Sequence, residues 1–330
     1  MILPAAIDLP WLRTPLAALL SELRDGTLPH AVLVGGAPGL GQPLLAAALA
    51  AAALCTQLTA TGACGQCRSC QLLALGTHED FQSLAPPEDK HSIGIDSVRE
   101  LCAQLSFSSQ RAPRQVGLIG LAEQLTVAAT NALLKTLEEP PGGALLVLVS
   151  ERPRALLATV RSRCRQVLLA TPPLPLALDW LTTECRLPPA DAAWRLLLNS
   201  GAPLAALAES DGEAGAALRL CAGLLAMLRG QVSAAALVRQ EKSQLAALRR
   251  VLLVLLELTA RPLPRSVSER LPRPLPELLG LTARVRSSSL WQIAQLGWRS
   301  RQWVGSGVRE DLQLLVPLEQ LVQSMDAAGA

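Results

Sequence analysis

Apolar positions in the first half of the chain follow two rhythms. Apolar-rich runs lie at residues 31–34, 115–119, 144–149 and 167–169. Runs this short, bounded by Gly, Pro or charged residues, predict strands buried on both faces. Between them helical patterns lie over 96–105, 126–139 and 154–161, and an Ala/Leu stretch over 44–55 also predicts a helix. Asp96 stands where an N-cap would accept from the free N–H groups of a first turn. Pro140-Pro141-Gly142-Gly143 is a hard helix stop. Strands alternating with helices predict a parallel sheet covered on both faces.

After Thr171-Pro172-Pro173-Leu174-Pro175 the strand-like runs become rare. Helical patterns occupy 177–186, 189–200, 214–229, 234–260, 289–303 and 310–325, with a Pro-rich connection over 261–276. The predicted organisation is an α/β domain over 1–170, a small helical domain over 171–209 and an all-α domain over 210–330. The last two helices are apolar on more than one face, which suits burial against other chains. Trp291, Trp298 and Trp303 there are either interface anchors or core residues. No fixed-period repeat is present.

Half of the residues are hydrophobic and 17% are charged. With a mean hydropathy of +0.32, this excludes a disordered chain and raises the question of a membrane. Residues 26–67 carry no Lys, Arg, Asp or Glu. A spanning helix needs about 20 consecutive apolar residues, and here six Gly and Pro residues between positions 35 and 43 divide the stretch. What remains is a short strand and an Ala/Leu helix, which reads as a buried core helix. The N-terminal MILPAAIDLPWLR lacks a basic leader with an apolar h-region, so a cytoplasmic protein is expected. The net charge of +3 is too small for a surface that coats nucleic acid. All basic residues except Lys90, Lys135 and Lys242 are arginine, which with the abundant Ala and Leu reads as coding bias.

Gly36-Ala37-Pro38-Gly39-Leu40-Gly41-Gln42-Pro43 lies between a strand and a helix, where a phosphate-binding loop belongs. The glycines are in register with G-x-x-x-x-G-K-[ST]. Gln42 replaces the lysine that would meet the β/γ-phosphates, and Pro43 replaces the hydroxyl that would hold Mg²⁺. Pro43 also deletes a backbone N–H from the cradle, yet suits a first helical turn. The loop is expected to keep its shape and lose its chemistry; an ordinary Gly-rich turn is the alternative. A Mg²⁺ and water site would want an acidic pair directly after the strand that ends at Ile119, and those positions hold Gly120 and Leu121. Glu123 comes two residues late and is expected at a solvated segment start.

Cys55, Cys64, Cys67 and Cys70 fall within sixteen residues, the last three at x2 spacing. That spacing fits a closed, structural Cys₄ zinc site. Disulfides or free thiols are the alternatives, and disulfides are disfavoured in a cytoplasmic protein. Cys102, Cys164, Cys185 and Cys221 are scattered and read as buried small hydrophobes. Arg161-Ser162-Arg163-Cys164-Arg165 ends a predicted helix, and by itself reads as a solvated basic helix end. Asn131 to Pro141 reads as a surface helix in which Lys135 and Glu139, four apart, can pair.

In this order, the glycine loop, the cysteine module, Gly76-Thr77-His78-Glu79-Asp80-Phe81, the Asn131-to-Pro141 segment and Ser162-Arg163-Cys164 resemble the clamp-loader branch of the AAA+ ATPases. The resemblance is strong over residues 30–170 and rests on helical pattern beyond. It implies an AAA+ α/β fold, a helical lid over 171–209 and a helical collar over 210–330. The departures matter. Motor subunits (gamma/tau) of the bacterial DNA polymerase III clamp loader keep the Lys-Thr and Asp-Glu elements that this chain lacks. A sensor arginine usual after a Gly-Ser pair is also absent from Ser200-Gly201-Ala202-Pro203-Leu204. The resemblance therefore implies a non-hydrolysing subunit, with no ATPase activity from this chain alone. Its partners would be gamma/tau and delta subunits in a heteropentamer that loads a sliding clamp onto primed DNA. By the same resemblance Arg163 would be an arginine finger acting in trans on a neighbour's ATP. Two rivals stay open: an active clamp-loader ATPase, and a zinc-dependent nucleic-acid-binding module. The second is weakened because only Arg68 lies among the cysteines and the nearest aromatic is Phe81.

Overall fold

A computed structural model describes residues 9–87, 92–107, 109–260, 263–283, 289, 291–293, 295–296 and 310–329. The chain divides into two compact units, Met1–Thr171 and Pro172–Ala330.

In the first unit five parallel strands form one sheet: β1 (Ala31–Gly36), β2 (Phe81–Leu84), β3 (Val116–Ile119), β4 (Leu145–Ser150) and β5 (Arg165–Leu169). Their order is β2-β3-β4-β1-β5. β1 pairs with β4 (Ala31 opposite Leu146) and with β5 (Val32 opposite Arg165). Central β1 (Ala-Val-Leu-Val-Gly-Gly) and β4 (Leu-Leu-Val-Leu-Val-Ser) have no exposed position, as a sheet covered on both faces requires. Helix α1 is Arg13–Arg24, α2 is Gln42–Leu54, α3 is Arg68–Ala74, α4 is Ile95–Leu105, α5 is Val127–Glu138 and α6 is Ala158–Arg161. Strand side chains alternate between faces. Ala31 and Leu33 of β1 join a core with Leu101 of α4, Leu133 and Leu137 of α5 and Val160 of α6. α2 contacts β1, β3 and β4, and α1 packs on α2.

This is the predicted α/β architecture, with local differences. β2 has no counterpart in the apolar pattern: Phe-Gln-Ser-Leu lies at the sheet edge, half-exposed, with no apolar run to mark it. Asp96 is not an N-cap. Gly94 holds that position, and Asp96 sits inside the first turn, 3.8 Å from Arg99. The helix over 154–161 is a single 3₁₀ turn, Pro153–Ala155, followed by the one-turn α6.

The second unit is helical: Leu174–Thr183, Pro189–Leu198, Pro203–Ala208, Asp211–Leu228, Ala234–Gln240, Leu245–Ala260, Arg265–Ser268, Leu275–Thr282 and Glu310–Gly329. The single helix expected over 234–260 breaks at the polar Glu241-Lys242-Ser243. The connection over 261–276 contains a helical turn of its own, at Arg265–Ser268. Most of the helix expected over 289–303, with Trp298 and Trp303, lies outside the described residues. Trp291 is 57% exposed. Across the expected 209/210 boundary, Trp194 donates to the Ala214 carbonyl at 3.0 Å and Arg250 forks onto Glu209 at 2.7 and 3.0 Å. Among the described residues no helix is long and apolar enough to cross a membrane.

Candidate functional site

The glycine loop leaves β1 at the carboxyl edge of the sheet, where β1 lies inserted between β4 and β5; α/β folds bind ligands at such edges. A Cβ on Gly36 would lie 2.9 Å from the Leu169 carbonyl oxygen, so only glycine fits there. Gly41, the N-cap of α2, has φ of +94°, a left-handed conformation that again favours glycine. Pro43 sits in the first turn of α2, as expected. The side chain of Gln42 is the decisive feature. It is 1% exposed, and its Nε2 donates to the Ala37 carbonyl at 2.6 Å. The residue at the lysine position therefore bonds its own loop. Trp11 adds a bond from outside, its Nε1 donating to the Leu40 carbonyl at 2.8 Å.

Gly120 and Leu121 follow β3, and Leu121 takes φ of +53° to start a 3₁₀ turn. The expectation of a solvated Glu123 is wrong. Its side chain is 2% exposed, Oε1 accepts from the Glu151 N–H at 3.1 Å, and Oε2 has no protein partner. The turn after β3 folds Glu123 against the end of β4.

Cys55 ends α2, Cys67 caps α3 and Cys70 lies in its first turn. With Cys64 their four sulfurs lie within 4.8 Å of one another and could hold a metal ion. All four are free thiols. Three Sγ···Sγ separations are 3.5 Å (Cys67–Cys70), 3.9 Å (Cys55–Cys67) and 4.0 Å (Cys64–Cys70). A tetrahedron with Zn–S of about 2.3 Å has edges of about 3.8 Å. Backbone N–H groups of Cys64, Cys67 and Cys70 donate to the sulfurs of Cys55, Cys64 and Cys67. Burial works against the thiolate of Cys67, but donors from Thr56 and the Cys70 N–H bring its pKa to about 6. Burial pushes Cys55 and Cys70 upward. A bound cation would stabilise all four thiolates together. His78 lies outside the cluster, buried, with Nδ1 accepting from the Asp80 N–H at 3.1 Å. Of the scattered cysteines, Cys164 and Cys221 are buried as expected, whereas Cys102 and Cys185 are half-buried.

The Ser-Arg-Cys segment follows α6. Ser162 Oγ and Arg163 Nη1 both donate to the Thr159 carbonyl, at 3.2 and 3.0 Å. Cys164 packs into the core below the sheet. Arg163 is not a freely solvated helix end: Nη2 lies 2.6 Å from Glu138 Oε1, and the Arg163 side chain is 35% exposed. The ion pair at this helix end therefore uses Glu138.

Residues 13–173 match the protein family described as DNA polymerase III, delta subunit. The chain is 41% identical over 204 residues to DNA polymerase III subunit delta' of Escherichia coli (strain K12), which covers 62% of this chain and 61% of that one. Over residues 13–173 the chain is thus similar to the DNA polymerase III delta family, and over its matched length to delta-prime subunits. The delta-prime subunit of Pseudomonas aeruginosa is 39% identical over 216 residues, or 65% of this chain and 66% of its own length. The chain thus spans about three fifths to two thirds of these delta-prime relatives. A gamma-subunit-related protein of DNA polymerase III from Thermotoga maritima is 18% identical, over 94% of this chain and 99% of its own, with a TM-score of 0.37.

The structure brings the four cysteines of the expected site together. Arg163 lies with Glu138, a residue the sequence reading left aside. Asp80 lies in the His78-Glu79-Asp80 motif. Its buried carboxylate gathers the N–H groups of Gln110, Arg111 and Ala112, each at 2.8 Å, and Gln115 Nε2 at 2.9 Å. No local signal marked either residue, because their partners are 25 to 35 positions away.

Proposed function

We propose that the chain is a non-hydrolysing clamp-loader subunit of the bacterial DNA polymerase III system. It would help to load a sliding clamp onto primed DNA, in a heteropentamer with gamma/tau ATPase subunits and a delta subunit, in the cytoplasm. The observation that carries this reading is the loop's self-closure by Gln42, with neither lysine nor hydroxyl available to a nucleotide. Arg163 would act in trans. A guanidinium placed at a neighbour's γ-phosphate meets the negative charge that builds up during phosphoryl transfer, and in well-studied GTPases such a finger is worth about 10³–10⁵ in rate. Cys55, Cys64, Cys67 and Cys70 would hold one structural Zn²⁺, a reading supported by sulfur separations near a tetrahedral edge. Residues 171–209 would serve as lid and 210–330 as collar.

The test is reconstitution with motor and delta subunits. Arg163→Ala should assemble normally and lower the DNA-stimulated ATPase rate; undiminished turnover would remove the trans role. The rival reading, an active ATPase, requires the purified chain to hydrolyse ATP alone.

A further inference from the structure

The arginine-finger segment and the α5 segment converge on one contact, Arg163 Nη2 to Glu138 Oε1 at 2.6 Å. Three observations make this more than a chance surface pair. First, Glu138 is the last residue of α5. A helix C-terminus carries partial negative charge, so an acidic residue there has the wrong sign for helix stability. Glu138 opposes its own helix and is compensated by the Arg163 guanidinium. Second, both ends of the contact are fixed. His30 Nε2 donates to the Leu137 carbonyl at 3.0 Å, tying the end of α5 to the approach to β1. Cys164 is buried beside Arg163 in the core that α5 and α6 share. Third, the guanidinium is held but not exhausted. Nη1 donates to the Thr159 carbonyl and Nη2 to Glu138, which uses two of its five N–H groups.

We propose that Glu138 is a positioning residue for Arg163: it selects one rotamer of the long side chain and aims the remaining N–H groups outward. The gain is preorganisation. A free arginine side chain has rotamer entropy to lose when it is captured. Clamping both terminal nitrogens removes part of that loss before a neighbouring subunit arrives. This inference rests on the trans role of Arg163 proposed above.

The experiment uses the reconstituted clamp loader, with kcat and KM for ATP measured on primed DNA for four variants. Glu138→Ala should lower kcat by about two- to fivefold, the range of an exposed ion pair, and leave KM unchanged. Glu138→Gln, which keeps an acceptor for Nη2, should recover most of the loss. The double variant Glu138→Ala/Arg163→Ala should be no slower than Arg163→Ala alone, since Glu138 acts only through Arg163. If Arg163→Ala itself has full turnover, the trans-finger reading fails first. If Arg163→Ala is slow while Glu138→Ala is normal or faster, Glu138 is only a resting counter-ion and the proposal is overturned. A double variant slower than Arg163→Ala overturns it too, because Glu138 then acts through the fold.

Discussion

Asp80 has no exposed surface, and its carboxylate takes four N–H donors from the segment that leads into β3. Burial works against its charge, but the N–H groups of Ala112, Gln110 and Arg111 outweigh that and hold its pKa below the usual carboxylate value. A depressed carboxyl stabilises the fold fully above the unfolded pKa of about 3.9, and that contribution fades as pH falls through the native value. Asp80→Asn removes the charge and turns an N–H₂ group toward N–H donors. We expect a loss of about 3 kcal/mol near neutral pH, the sum of two charge-assisted bonds. Urea unfolding would show it, and the wild-type stability should fall more steeply than the variant's from pH 5 to pH 3. Equal slopes would exclude the role. The same contrast sets what residues reveal in advance. The cysteine cluster was legible because its spacing is local. Glu123 was misjudged because the end of β4, some 28 residues away, decides its burial.

At the scale of elements, central strands announced themselves by unbroken Val/Leu runs, and β2 did not because an edge strand need bury only part of each face. The helix at Asp211–Leu228 starts three residues before the apolar rhythm suggested. Its Ser210 and Glu213 form a reciprocal capping box, a signal present in the sequence as S-x-x-E and passed over. The cysteine module is an element without regular structure to speak of: two short helix ends and a turn held by sulfur. Cys64 and Cys67 are only half-buried, so under the zinc reading proposed above the ion would supply much of its stability. Elemental analysis should therefore return about one zinc per chain. Chelation should unravel residues 55–70, read as faster amide exchange there than in β1 or β4. A metal-free chain with unchanged protection would reject the zinc reading.

For the whole molecule, the division at Thr171–Pro172 follows the change from strand–helix alternation to helices alone, and it was visible in the apolar pattern. What lay beyond sequence reading in the second unit is a polar knot. Glu209 accepts from both Arg250 and Asn199, and Arg195 is bonded to the Glu209 carbonyl and to Asp211. These residues are up to 55 positions apart, so no window of sequence could join them. The first unit has its own core on both faces of the sheet, and a fragment of residues 1–171 should fold alone. Circular dichroism and a cooperative melt would check this; a fragment that melts without cooperativity would show that the sheet depends on the helical unit.

Trp11 gives that fragment a spectroscopic property. The chain has no tyrosine, and the other five indoles all lie beyond residue 171. A fragment of residues 1–171 is thus a single-tryptophan protein, with its indole N–H bonded to a carbonyl of the glycine loop. Its emission maximum and quenching read the state of that loop directly, without a label and without background.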